Sequence, residues 1–486
     1  MSTTILQCTS PEAQGIPSAK LLAFVDTLDR TIVEPHGFVL LRHGSIVAKG
    51  WWSPHSENLP HMLFSLTKSF VSTAVGFAVF EGRLSIDDSV TSFFPDKLSS
   101  RISRNLAAMR VRDLLTMSTG HATDPTPSAT RRGDGDWVKG FFAAPVTLEP
   151  GVQFLYNSAA SHVLSALVQK VTGQTLMNYL TPRLFAPLGI HPESWETDPH
   201  GITIGGWGLM LRTEEVARFG QLLLQRGAWN GQQVLPSAWV MQASSSQVSN
   251  RGPGASEPEH DWNQGYGFQF WRCRHGCYRG DGAFGQFCIV FPEQDAVLAM
   301  NNGVAEMHTV LNAVWDKLLP AFEPAMLPED PDAQSALRDR LSSLGLSAPP
   351  ATSVSPVAPR INGVAYRMEP NETGIDTLSV ETSAHGCTLC IRERKKRVRA
   401  ECAYEGWHLG DSSIFGRETQ PLAGHAAWIQ PDTLRLTLRK YVTPFVVTFD
   451  LAFKTDQVVV KPRMNVNLGP TEFPSVRGTA APARSR

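Results

Sequence analysis

Ser65 and Lys68, three residues apart, have the types and spacing to act as a nucleophile and its base. Phe70, Val71, Ala74, Val75, Phe77, Ala78 and Phe80 recur at helical intervals behind them. The spacing predicts a buried helix over about residues 65–80, stopped by Gly82. Residues three apart share a helix face, which sets the hydroxyl beside the amine. A serine in the first turn also has an unpaired backbone N–H and the positive end of the helix dipole. Acyl transfer needs these together: a hydroxyl, a base and a donor for the oxyanion. The motif alone is weak, because a helix start with Ser65 as N-cap and Lys68 in water has the same letters. The setting separates the two readings. Lys68 lies between Phe64 and Phe70-Val71 on a helix too apolar for a surface. Desolvation there lowers an amine toward the range of a working base.

The elements around this stretch follow from the patterning. A helix is predicted over 18–28, then a hairpin of 38–42 and 46–49 around His43-Gly44. A short helix spans 111–117, and 123–136 reads as a long polar loop of the kind that borders clefts. Tyr156-Asn157-Ser158 follows Pro150-Gly151, so Tyr156 belongs to a loop or strand end, with a helix over 159–171 ending at Gly173. A bend at Gly205-Gly206-Trp207-Gly208 precedes a helix over 213–226. Strands are predicted at 266–271, 286–291 and 296–300, then a helix over 305–319. Strands at both ends with helices between them make the first region α+β, built on an antiparallel sheet. A Pro/Ala/Ser-rich linker over 347–359 follows. Beyond it, short strand-like runs from 377 to 460 predict an all-β sheet or barrel. The expected domains are 1–345 and 360–486.

Composition excludes several classes. The 486 residues are 42% hydrophobic and 18% charged, with a net charge of -1. That balance gives no reason to expect nucleic acid or an anionic membrane surface as partner. No run reaches the about 18 apolar residues of a membrane span. The first residues lack the basic and apolar regions of a signal peptide, so a cytoplasmic location is expected. The seven cysteines are an odd, scattered set, read as free thiols. Cys387 and Cys390 form a lone CxxC, and Cys273 and Cys277 a CxxxC elsewhere. Neither supplies the four ligands of structural zinc, so no metal and no cofactor are expected. The basic run from Arg392 to Arg399 reads as a solvated hairpin. There is no P-loop, no GxGxxG and no HExxH.

Three pieces stand in order: Ser65-x-x-Lys68, Tyr156-Asn157-Ser158, and Gly280-Asp281-Gly282-Ala283-Phe284-Gly285. This set resembles the serine β-lactamase and penicillin-binding-protein superfamily, in its class C-like serine hydrolase and esterase branch, over about residues 10–322. The resemblance implies an antiparallel sheet flanked by helices, with a helical subdomain inserted between the first two motifs. It implies Ser65 as the acylated nucleophile, Lys68 as its base and Tyr156 as second base or proton shuttle. It also implies an oxyanion hole from the backbone N–H groups of Ser65 and Ala283, with Ala283 on an edge strand.

Two positions depart from the pattern. Ser158 stands where the second motif usually has Asn. Gly280 stands where the third usually has Lys or His, with Asp281 beside it. The missing cation argues against β-lactam and peptidoglycan substrates and leaves ester and amide hydrolysis. Ser158, Trp207 and Asp281 are candidate pocket-lining residues, with His61, His121 and Trp271 behind them. The expected partner is a small ester or amide. The rival enzyme readings are a D-amino-acid peptidase or amidase and an acyltransferase. The rival outside catalysis is an inactive sensor or binding module. The sequence leaves the oligomeric state open.

Overall fold

The computed structural model describes residues 6–251, 260–348, 355–371, 374–393, 396–414 and 418–481. Helix α1 (Ser18–Thr31) leads into strands β1 (Pro35–Arg42) and β2 (Ser45–Trp51). Helix α2 (Thr67–Phe80) follows, then the inserted helices, of which α3 (Ser158–Thr172) and α4 (Thr213–Leu224) bear on the site. The chain returns through β3 (Trp271–Arg272), β4 (Tyr278–Gly282), β5 (Gln286–Phe291) and β6 (Ala296–Asn302). These strands form one antiparallel sheet in the order β2-β1-β6-β5-β4-β3.

The sheet is covered on both faces, so its central strands are apolar at every position rather than alternately. Strand β1 is buried throughout, yet its side chains divide with a period of two. Val39 and Leu41 join the core shared with α2 and the inserted helices. Phe38 and Leu40 join the core under α1, with Phe24 and Leu28. Helix α2 is buried from Thr67 to Ala78, as a helix apolar on all sides must be. It stops where Gly82 takes a φ of 67°, and Gly82 and Arg83 return their N–H groups to Val79 and Ala78 carbonyls.

The C-terminal region is all-β, as expected. Its strands are β7 (Tyr366–Met368), β8 (Ile375–Thr382), β9 (Gly386–Glu393), β10 (Lys396–Ala403), β11 (His408–Ser412) and β12 (Gln420–Gln430). Then come β13 (Thr433–Arg439), β14 (Val446–Phe453), β15 (Gln457–Met464) and β16 (Val476–Ala480). The order is β10-β9-β8-β7-β16-β15-β14-β13-β12-β11, and a bridge between Ala403 and His425 closes it into a barrel.

Several local expectations need correction. The loop over 123–136 contains a helix, Thr126–Thr130, started by Asp124, whose Oδ1 accepts the Thr126 N–H at 2.9 Å. Of the strand expected over 266–271 only its last residue is in one, the two-residue strand Trp271–Arg272. Gln269, at φ 65°, breaks the run. The helix expected over 305–319 is α-helical at Met307–Ala313 and widens to a π turn at Val314–Leu318. All seven cysteines are free thiols. Cys387 faces Cys402 inside the barrel, while Cys390 sits near Glu381 on the other face, as three residues along a strand dictate. The CxxC therefore cannot close on one ion. Residues 349–354 of the expected linker, 252–259 of a predicted polar loop, and Arg394 and Lys395 of the basic run lie outside the described residues. Among the described residues no helix is long and apolar enough to cross a membrane.

Candidate active site

Ser65 lies not in α2 itself but in the 3-10 turn Phe64–Leu66 that leads into it. Phe64 enters this turn at φ 49°. Lys68, in the first turn of α2, donates from Nζ to Ser65 Oγ at 2.8 Å and to the Gly206 carbonyl at 2.7 Å. The amine is buried, and desolvation pulls its pKa down to about 7 against the raising pull of Asp124 and Asp281. A neutral lysine that can accept a proton is therefore available near neutral pH.

The Gly206 carbonyl reaches Lys68 because the bend carrying it lies on the start of α3. A Cβ at Gly205 would stand 2.0 Å from the Ser161 carbonyl oxygen, and one at Gly206 2.7 Å from Ser158 Cβ. Only glycine permits that approach. Ser158 opens α3 beneath this bend, and buried Asn157 caps the helix, its Oδ1 accepting the Ala160 N–H at 2.8 Å.

Tyr156 lies on the loop before α3, tied to Met117 by the Leu155 N–H to Met117 carbonyl bond of 2.7 Å. Its ring sits 4.9 Å from Lys68 Nζ and stacks on Trp271 at 5.4 Å. The phenol shares a hydrogen bond with Ser65, and burial pushes its pKa up. Tyr156, distant in sequence, thus meets Ser65 and Lys68 at one point.

Ala283 is not on an edge strand but in the turn between β4 and β5. The end of β4 lies against the Ser65 segment: a Cβ at Gly282 would stand 2.1 Å from the Leu63 carbonyl oxygen. Among the described residues neither the Ser65 nor the Ala283 N–H donates to a protein acceptor. Gly280 faces α2 so closely that a Cβ would stand 2.2 Å from Leu66 Cδ1 and 2.9 Å from Ser69 Oγ. No long cation fits there. Asp281 is buried and accepts from Arg279 Nε at 2.8 Å, while Arg279 lies over the Trp262 ring at 4.6 Å. Burial raises the Asp281 carboxyl against the opposing charge of Arg279.

The other pocket candidates divide. Trp271 lines Tyr156. Trp207 packs against Trp137 at 5.8 Å with the rings tilted by 38°, and bonds to Glu196. His121 is buried beside Thr119 and Phe141. His61 turns away from Ser65: Nε2 meets His36 Nδ1 at 3.0 Å and Nδ1 the Met62 carbonyl at 3.0 Å. His36, His55 and His61 bring ring nitrogens within 4.8 Å of one another. However, His36 and His55 stack at 3.8 Å with planes 17° apart, so their in-plane lone pairs run side by side instead of converging on an ion.

Gln269 was not singled out from the sequence, and it ties the site's helices together. Its backbone carbonyl accepts from Ser69 Oγ at 3.0 Å and its Oε1 from Ser161 Oγ at 2.6 Å. Its Nε2 donates to the Leu114 and Leu115 carbonyls. Asp124 and the Gly206 carbonyl were likewise not anticipated.

An antiparallel sheet between helices, with a serine bonded to a buried lysine where the central helix begins, defines a hydrolase of the β-lactamase and penicillin-binding-protein type. The Beta-lactamase family model matches residues 28–307, and the chain belongs to that family. The 6-aminohexanoate-dimer hydrolase of Paenarthrobacter ureafaciens is 25% identical over 282 residues, 54% of this chain and 70% of that protein. Penicillin-binding protein 4 of Amycolatopsis lactamdurans is 29% identical over 304 residues, 54% of this chain and 77% of its own length. A solved Bacillus anthracis structure, provisionally assigned as a 6-aminohexanoate-dimer hydrolase, shares the fold with a TM-score of 0.54 at 20% identity. The match covers 67% of this chain and 89% of that one.

Proposed function

We propose that the chain is a serine hydrolase that cleaves a carboxylic ester or amide through an acyl-enzyme on Ser65. The observation that carries this reading is the 2.8 Å contact between Lys68 Nζ and Ser65 Oγ, with Lys68 lowered to about 7 by burial. Neutral Lys68 takes the Ser65 proton as the oxygen attacks the carbonyl carbon. The Ser65 and Ala283 N–H groups receive the oxyanion, donors of a kind worth about 10²–10³ in rate each. Tyr156 relays the proton to the leaving group, and the same groups then activate water to release the acid. The unmatched position at Gly280 favours substrates without a carboxylate beside the scissile bond. The amide-cleaving relative supports keeping amides within the class.

A fluorophosphonate probe on the full chain tests this. Ser65 becomes labelled, and Ser65→Ala is folded, unlabelled and inactive on p-nitrophenyl butyrate. An unlabelled wild type would favour the binding-module reading. A Ser65→Ala variant with near wild-type kcat would remove the nucleophile assignment.

A further inference from the structure

The barrel strands alternate between buried and open positions: Leu378 and Val380 in β8, Leu389 and Ile391 in β9, Val398 and Ala400 in β10 are buried. In a closed barrel this period aims one apolar set inward. The interior is not uniformly filled. Along β14, Phe453 is packed with Trp428 and Tyr366 at ring separations of 6.3 and 5.8 Å. Val447 and Phe449, nearer the start of β14, instead line a cavity of about 440 Å³ with Leu378, Leu389, Ile391 and Val460. Protein interiors hold few voids larger than a water molecule. This one falls in the ~300–1,000 Å³ range of small-molecule sites.

Two ionisable side chains join the apolar lining, Lys440 and Glu393. Lys440 follows β13, and burial alone depresses its amine, with no acidic partner opposing the effect. Among the described residues it forms no ion pair, with Glu393 or with any other carboxylate. A half-buried cation beside an apolar void carries an uncompensated desolvation cost that an anion would relieve.

We infer that this cavity binds an aliphatic carboxylate, with its chain inside the barrel and its carboxylate on Lys440 Nζ. The chain buries apolar surface against the inward side chains, and the head supplies the partner that Lys440 lacks. The site is separate from the Ser65 chemistry, but Phe445 belongs to both neighbourhoods. It lines the cavity and touches Phe64 and Phe284 at ring separations of 6.0 and 5.8 Å.

The test uses full-length Ser65→Ala, so that turnover cannot intervene, with cis-parinaric acid as fluorescent probe. Saturable binding is expected, displaced by decanoate. Lys440→Met weakens binding of the acid by at least about 10-fold, the scale of one charged hydrogen bond, and leaves the probe's methyl ester unchanged. Glu393→Gln tightens the acid. Leu389→Trp, which fills the void, abolishes binding of both forms, with circular dichroism confirming the fold. Lys440→Met keeps the test decisive if Leu389→Trp misfolds. No saturable binding by folded protein would overturn the inference. So would equal loss of acid and ester in Lys440→Met, or full binding by a folded Leu389→Trp.

Discussion

The rings of Phe64 and Phe284 meet edge to face at 5.2 Å, and both residues hold their backbones at positive φ, 49° and 68°. One immediately precedes Ser65 and the other immediately follows Ala283. Left-handed backbone at a non-glycine residue costs about 1–3 kcal/mol and persists only where its surroundings enforce it. Part of that enforcement comes from the barrel, because Phe445 packs against both rings.

Phe445→Ala should therefore impair a site it does not touch. It is half-buried, so a stability loss of about 1–3 kcal/mol is expected, below the 3–5 of a fully buried phenylalanine. The informative readout is kcat on p-nitrophenyl butyrate, expected to fall while Ser65 and Lys68 are unchanged. Phe445→Leu should restore most of it. Unchanged kcat in a folded Phe445→Ala would show that the two turns are held without the barrel.

The pH dependence follows from Lys68. Its desolvated amine is charged below about pH 7 and neutral above it, and only the neutral form accepts the Ser65 proton. kcat/KM should rise with pH through about 7 and then level, because burial keeps the Tyr156 phenol protonated well past that point. A profile from pH 5 to 9 checks this. A flat profile would mean that Lys68 is not the titrating base.

Tyr156→Phe keeps the ring on Trp271 and removes only the hydroxyl bonded to Ser65. The expected loss is about 10²–10⁴ in kcat, the range of a general acid–base group, with little change in thermal stability. A wild-type rate would assign the proton relay elsewhere, and His61 would be a poor replacement, since both its ring nitrogens are engaged.

β-Lactams should be poor substrates. Their carboxylate needs a cation, and the only one on β4, Arg279, is spent on Asp281 between tryptophan rings. Nitrocefin kcat/KM should lie at least about 100-fold below that for p-nitrophenyl butyrate, the scale of a lost charge-assisted contact. Gly280→Lys should not repair this, because its Cβ meets Leu66 Cδ1 and Ser69 Oγ. It should lower stability instead. Nitrocefin turnover equal to that of the ester would show a cation arriving from another element.

The parts legible in the sequence were those written in residue type and period. The helix behind Ser65 declared itself because a buried helix is apolar on every side. The sheet showed in its strand patterns, and the short strand-like runs from residue 377 marked the all-β region, leaving open sheet or barrel to the structure. Strand 266–271 misled because Tyr266, Phe268 and Phe270 alternate in type with Gly267 and Gln269, yet every residue from 266 to 270 is buried and Gln269 breaks the strand at positive φ. The Gly206 carbonyl had no signal to give, since any residue has one. Gln269 was hidden because its work is done by an amide whose partners lie over 100 positions away. Phe445 was hidden for the same reason: nothing local marks a ring that packs across the chain.

The Met62 N–H donates to the Val442 carbonyl at 3.0 Å, three residues before Ser65. A ribosome adding about 5–20 residues per second reaches Val442 roughly 20–75 s after Met62. During that interval the nascent chain carries its serine and lysine without the downstream turn, between β13 and β14, that pins their approach. This anchor of the proposed site thus forms late in synthesis, and a product truncated before the barrel should lack it even with all three motifs present.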